Sequence, residues 1–218
     1  MGVVWDGNLS SGRFWMRVSS LLFAGLVGVI AAGATAQAQT VITVGTGRAH
    51  DCFVHAKTGN QLREGVAVCN VALEKDMLTR KDRAGTFDNR GVILDMLGRT
   101  DEAESDFNAS IALDPALGDP YVNLGAMLIK KGQHQEALTQ INKGIDLGMA
   151  FLHIGYYDRA VAEQMLGRYK EAYYDYKKVL EIEPNFAMAT ERLKDFIVTR
   201  TPAKQESWNL TGESKKAF

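Results

Sequence analysis

Residues 84–117, 118–152 and 153–186 overlay with a period near 34 residues, and this self-similarity limits the available folds more than any local motif does. Small residues share the eighth position of each unit (Gly91, Gly125, Ala160), glycine the fifteenth (Gly98, Gly132, Gly167) and alanine the twentieth (Ala103, Ala137, Ala172). The fourth position is aromatic (Phe87, Tyr121, Tyr156), and the twenty-fourth is large (Phe107, Ile141, Tyr176). The units register without an internal gap, and one extra residue separates the second from the third. Each therefore reads as two helices turning at the middle glycine. Small residues let the two backbones approach while the large ones fill the space beside them, and the glycine supplies the permissive backbone that ends the first helix. Pro115 and Pro184 stop the second helix of their units, because proline cannot continue the hydrogen-bond ladder. Gly148 does so in the middle unit.

With its small residues at eight, fifteen and twenty, its aromatics at four and its LDP and IEP endings, about half of the chain resembles the tetratricopeptide repeat family. The resemblance implies an all-α fold, a right-handed superhelix of stacked helical hairpins whose first helices line a concave groove for extended or helical peptides. It also implies groove-facing residues at the second, fifth, ninth, twelfth and thirteenth positions. These are Gly85, Asp88, Val92, Asp95 and Met96, then Asp119, Val122, Ala126, Ile129 and Lys130, then Ile154, Tyr157, Val161, Gln164 and Met165. Met96, Tyr157 and Met165 are expected to form an adaptable contact strip, with Ile129 beside it. The alternative is a shallow groove, partly filled by a cap helix, in which these residues are ordinary core or rim. Asn89 and Asn123 hold the sixth position, where some family members grip a C-terminal carboxylate. Because Ile154 and Asp158 replace the lysine and arginine of that clamp, the resemblance implies only that the two asparagines bond a ligand backbone. Arg90 and Arg159 stand where leucine is usual, and each reads as a buried stem with an exposed charge. Glu163 occupies a site where a large apolar residue is expected.

The flanks carry other signals. Residues 21–34 are an uncharged apolar run, shorter than the ~20 residues that span a bilayer, preceded by Arg13 and Arg17. Small-x-small sites follow at Ala34-Thr35-Ala36 and Ala36-Gln37-Ala38. The expectation is a signal peptide over 1–38, cleaved after Ala38, with Met16 as the true start and an uncleaved anchor as the alternative. Residues 39–49 read as a linker and 50–83 as a degenerate hairpin. Aligned with the repeats, that hairpin puts Cys52 at the seventh position and Cys69 at the twenty-fourth, facing each other across two helices. Export to an oxidising compartment would let them bridge; two buried thiols are the alternative. Residues 187–200 suit a capping helix, and 201–218 are polar, aperiodic and expected to be disordered.

Charge and composition remove several functions. With 25 Lys+Arg against 26 Asp+Glu the chain has no field for wrapping nucleic acid or coating an anionic membrane. Two cysteines are too few for a cysteine-based zinc site, and His50, His55, His134 and His153 form no metal-spaced pair. Gly45-Thr46-Gly47 lacks the Lys-Ser/Thr of a phosphate loop, and Asp158, Glu163 and Asp175 read as a solvated face. No cofactor is expected. The reading is a non-enzymatic protein- or peptide-binding scaffold of a bacterial cell envelope, periplasmic or secreted, with no membrane contact after signal cleavage. An accessory subunit of an envelope assembly, docked through its convex faces, is the alternative, and an enzyme comes third.

Overall fold

In a computed structural model, residues 39–42 and 47–196 are described. The expected signal peptide (1–38) and tail (201–218) lie outside them. Among the described residues α1 (Arg48–Thr58) and α2 (Leu62–Lys75) form the first hairpin, α3 (Arg80–Met96) and α4 (Thr100–Leu113) the second. The third pairs α5 (Asp119–Lys130) with α6 (His134–Leu147), the fourth α7 (Leu152–Met165) with α8 (Tyr169–Ile182), and α9 (Ala187–Leu193) packs on α8. The first helices α1, α3, α5 and α7 lie side by side, and each second helix packs against the first helix of the next hairpin. This is the all-α superhelix of helical hairpins that the resemblance implied.

The turns form as the glycine spacing required. Gly98, Gly132 and Gly167 adopt φ of 74°, 76° and 75°, a left-handed conformation that glycine enters without steric cost. Each hairpin then closes with a bond from the following amide to a carbonyl five residues back: Arg99 to Leu94, Gln133 to Leu128 and Arg168 to Glu163, all 2.9 Å. α3 starts before its repeat because Thr79 caps it, Oγ1 accepting the Asp82 amide at 3.1 Å.

Packing inside each hairpin explains the small residues. A Cβ on Gly91 would stand 2.6 Å from Phe107 Cε1, and one on Gly125 would stand 2.4 Å from Ile141 Cγ1. Phe107, Ile141 and Tyr176 are fully buried. Between α5 and α6 the backbones themselves touch, since a Cβ on Gly118 would meet the carbonyl oxygens of Gly144 and Gly148, both at 2.5 Å. In the first hairpin the link is covalent: Cys52 and Cys69 form a disulfide with Cα atoms 4.9 Å apart, both buried.

The two arginines correct the sequence reading. Arg90 does not spread its charge into solvent; its Nε and Nη2 clasp both Asp106 oxygens at 2.7 Å, and Nη1 donates to Asn70 at 2.7 Å. Its guanidinium also lies 5.3 Å from the Phe87 ring centroid. Arg159 repeats the arrangement with Asp175 at 2.7 and 2.8 Å, Asn142 at 3.0 Å and Tyr156 at 5.0 Å. Asp175 is thus an ion-pair partner and not part of a solvated face. Each arginine joins three helices, tying its own hairpin to the one before. The middle hairpin has Leu124, buried, at the equivalent position.

Gly118→Ala is expected to destabilise the fold by about 2 kcal/mol, because backbone and not a yielding side chain opposes the new methyl; denaturant unfolding measures it. Opening the Cys52–Cys69 bridge, by reductant or by the double Cys→Ser variant, is expected to cost about 3 kcal/mol in the same assay.

Candidate binding groove

The concave strip of α3, α5 and α7 is where equivalent side chains recur one repeat apart, and two of them meet an extended piece of the same chain. Residues 39–42, expected as linker, lie there. The Ile42 amide donates to Asn89 Oδ1 at 2.8 Å, and Asn89 Nδ2 donates to the Ile42 carbonyl at 2.7 Å. One repeat on, the Thr40 amide donates to Asn123 Oδ1 at 2.9 Å and Asn123 Nδ2 donates to the Thr40 carbonyl at 2.9 Å. A carboxamide offers one donor and one acceptor edge, which complements the acceptor and donor of a peptide unit. An extended chain shows the same edge at every second residue, so residues 40 and 42 suit successive rungs. The segment runs against the repeat order, Ile42 on α3 and Thr40 on α5.

Other contacts hold it. Thr40 Oγ1 donates to the Asp119 carbonyl at 3.4 Å, and Gln39 Nε2 donates to Asp95. Asp95 also takes Lys130 Nζ at 2.6 Å. Val41 and Ile42 are buried, as are both asparagines. Asn123 uses its second amide hydrogen on Asp88, at 3.0 and 3.2 Å from the two carboxylate oxygens.

The remaining candidates divide. Ile129 is buried, while Met96 and Met165 are exposed at 44% and 48%. Tyr157 does not join them as an open contact: it is 3% exposed, packed edge-on against Phe186 at 5.4 Å and against Tyr176 at 5.7 Å. The chain leading into α9 therefore covers that end of the strip.

Buried acid lies along the floor. Asp88 is fully buried, and desolvation first, with the nearby Asp119 and Asp106 charges adding to it, holds its carboxyl well above the usual range despite the Asn123 hydrogen bond. Asp158 is likewise buried and raised, correcting the expectation of a solvated carboxylate. Burial also raises Asp119 and Glu163, the latter 3.3 Å from Arg168. Outside the groove, a cleft of about 340 Å³ lies around Arg90 and Asp106, which pair with each other, as Arg99 does with Glu102 at 2.6 Å. Among the described residues no group of three His, Cys, Asp or Glu is placed to hold a metal, and no helix is long and apolar enough to cross a membrane.

Asn89 and Asn123, singled out from the sequence, bond an extended strand of the same chain that sequence reasoning missed. It also missed the arginine ties, although the recurrence of an aromatic at four, arginine at seven and aspartate at twenty-three in two units was a usable signal.

Tetratricopeptide repeat models match residues 84–117 and 153–186. The UDP-N-acetylglucosamine–peptide N-acetylglucosaminyltransferase of Giardia intestinalis is 34% identical over 73 residues, which is 34% of this chain and 5% of that protein. Superkiller complex protein 3 of Homo sapiens is 26% identical over 120 residues, 53% of this chain and 8% of that one. The chain thus spans a small fraction of the curated relatives it matches. Among solved structures, MamA superposes with a TM-score of 0.51 at 16% identity, covering 70% of this chain and 94% of its own. The Arabidopsis OM64 TPR domain gives 0.50 at 23% identity, covering 55% and 100%.

Asp88→Asn gives a signed pH test. The unfolded carboxyl ionises near 3.9 while the folded one keeps its proton to higher pH, so wild-type stability is greatest below the unfolded value and falls as pH rises towards the folded one. The variant, which cannot ionise, is expected to gain on wild type by up to about 1.4 kcal/mol per pH unit above pH ~4 and to lose that advantage below it. Parallel denaturation of the two proteins across pH checks this.

Proposed function

Because the chain carries tetratricopeptide repeats stacked into a hairpin superhelix, we propose that it is a non-enzymatic module that holds an extended protein segment in its concave face. One observation carries the proposal: Asn89 and Asn123, a repeat apart, each exchange a pair of hydrogen bonds with the backbone of alternate residues in a strand. Such a ladder recognises extended peptide largely irrespective of sequence. Selectivity then comes from the walls, which here accept the β-branched side chains of Thr40, Val41 and Ile42. A partner segment must compete with residues 39–42 for the same rungs. The apolar run with small-x-small sites and the buried disulfide support an exported protein working in the periplasm or outside the cell.

The competition dictates the experiment. Substituting the asparagines alone weakens guest and resident strand together, so the resident must first be disabled. Thr40→Pro with Ile42→Pro removes both amide donors and leaves the groove intact. The proline variant is expected to bind a fluorescent synthetic peptide of residues 39–46 more tightly than wild type. Adding Asn89→Ala and Asn123→Ala is expected to weaken that binding by about tenfold per rung. Equal affinity with and without the asparagines would sink the ladder as the binding element. A photo-crosslinker at Met96 in the proline background then labels the partner in envelopes of the native host.

A further inference from the structure

The ladder has a third rung of different chemistry. Asp158 holds the sixth position of the third repeat, as Asn89 and Asn123 do in the first and second, and it projects from α7, the next first helix along the strip. It is fully buried, and neither carboxylate oxygen accepts a hydrogen bond. Lys130, whose charge reaches it, spends its ammonium on Asp95 at 2.6 Å. The strand steps from Ile42 on α3 to Thr40 on α5, so its N-terminal end heads for α7.

A carboxamide can answer both the N–H and the C=O of a peptide unit; a carboxyl matches it only while it keeps its proton, and once ionised it only accepts. In the unbroken chain neither Asp158 oxygen is engaged, so the passing peptide leaves this rung empty. A free amino terminus brings three donors and a positive charge with no carbonyl to oppose the acid. Resting on the groove reading above and on cleavage after Ala38, we propose that the groove ends in an amine site: the α-ammonium of a processed Gln39 terminus seats on Asp158 and completes the ladder. An ammonium there also gives this buried acid, held well above its usual range, a counter-charge not already bonded to another carboxylate as Lys130 is. Cleavage then adds a third rung to the two that the strand already holds in the unbroken chain.

The test compares amide with amine in one protein. A carrier is fused upstream of Gln39 through a protease site that leaves Gln39 first, and far-ultraviolet circular dichroism verifies that the helices are formed before and after cleavage. Intact mass verifies that the new terminal glutamine has not cyclised, since a cyclised terminus has no ammonium. Hydrogen exchange of the Thr40 and Ile42 amides is read before cleavage, after it, and after acetylation of the amine. We expect exchange about tenfold slower after cleavage, restored to the fused rate by acetylation. In Asp158→Asn, whose carboxamide suits a peptide unit, the preference is expected to invert, with the fused form the better protected.

Equal protection in all forms would overturn the amine site and leave the groove reading standing. Free-peptide exchange in every form would defeat both. An acetylation effect of the same size in Asp158→Asn would show that the amine acts elsewhere. A dimer appearing only after cleavage would place the terminus in a second copy and overturn the intrachain seat.

Discussion

Contact between a residue with almost no side chain and a large apolar one sets the distance between the helices of each hairpin. Gly91 lies on Phe107 and Gly125 on Ile141 with no room for a methyl, the third repeat carries Ala160 there, and the first helices lie side by side. Their placement matters for the groove. Asn89 and Asn123 can meet residues two apart in one strand only because their helices are held at a constant offset. A single added methyl on Gly91 or Gly125 would therefore disturb the ladder as well as the core.

Most of the architecture was legible because it repeats. A period near 34, with glycine at its middle, marks each hairpin three times over, and the turns at Gly98, Gly132 and Gly167 follow from it. The groove was legible in part. Asn89 and Asn123 stood out by position, yet residues 39–42 did not, because a four-residue extended segment has no periodicity and its partners lie 47 and 83 residues away. Tyr157 was misplaced for a related reason: its cover, Phe186, belongs to the connection before α9 and not to a repeat. Arg90 and Arg159 were judged one at a time against a leucine, whereas their role depends on residues sixteen places further on.

The interior is more polar than the composition suggests. Asp88 and Asp158 are as deeply buried as any core residue, and both sit where a first helix faces the strip. Burying an acid costs the fold unless it is neutralised or partnered, so residues of this kind seldom serve stability alone. Asp88 orients Asn123 by accepting one of its two amide hydrogens, and that fixes which edge of the carboxamide meets the strand. The disulfide, the arginine ties and the glycine contacts form the rigid frame against which such a costly floor is maintained.

The arginine ties also speak to how the hairpins are joined. Asn70 and Arg90 are 20 residues apart, Asn142 and Arg159 only 17, and yet each pair closes the same three-helix junction. Both connections are four residues long, 76–79 and 148–151, and the three extra residues lie at the start of α3, so the same junction closes whatever the length of helix that leads into it. Loop-closure entropy grows slowly, by about 0.6 kcal/mol for each doubling of length. New sequence could enter between hairpins while the row of first helices stays in step, which makes these connections the natural places for the scaffold to acquire insertions.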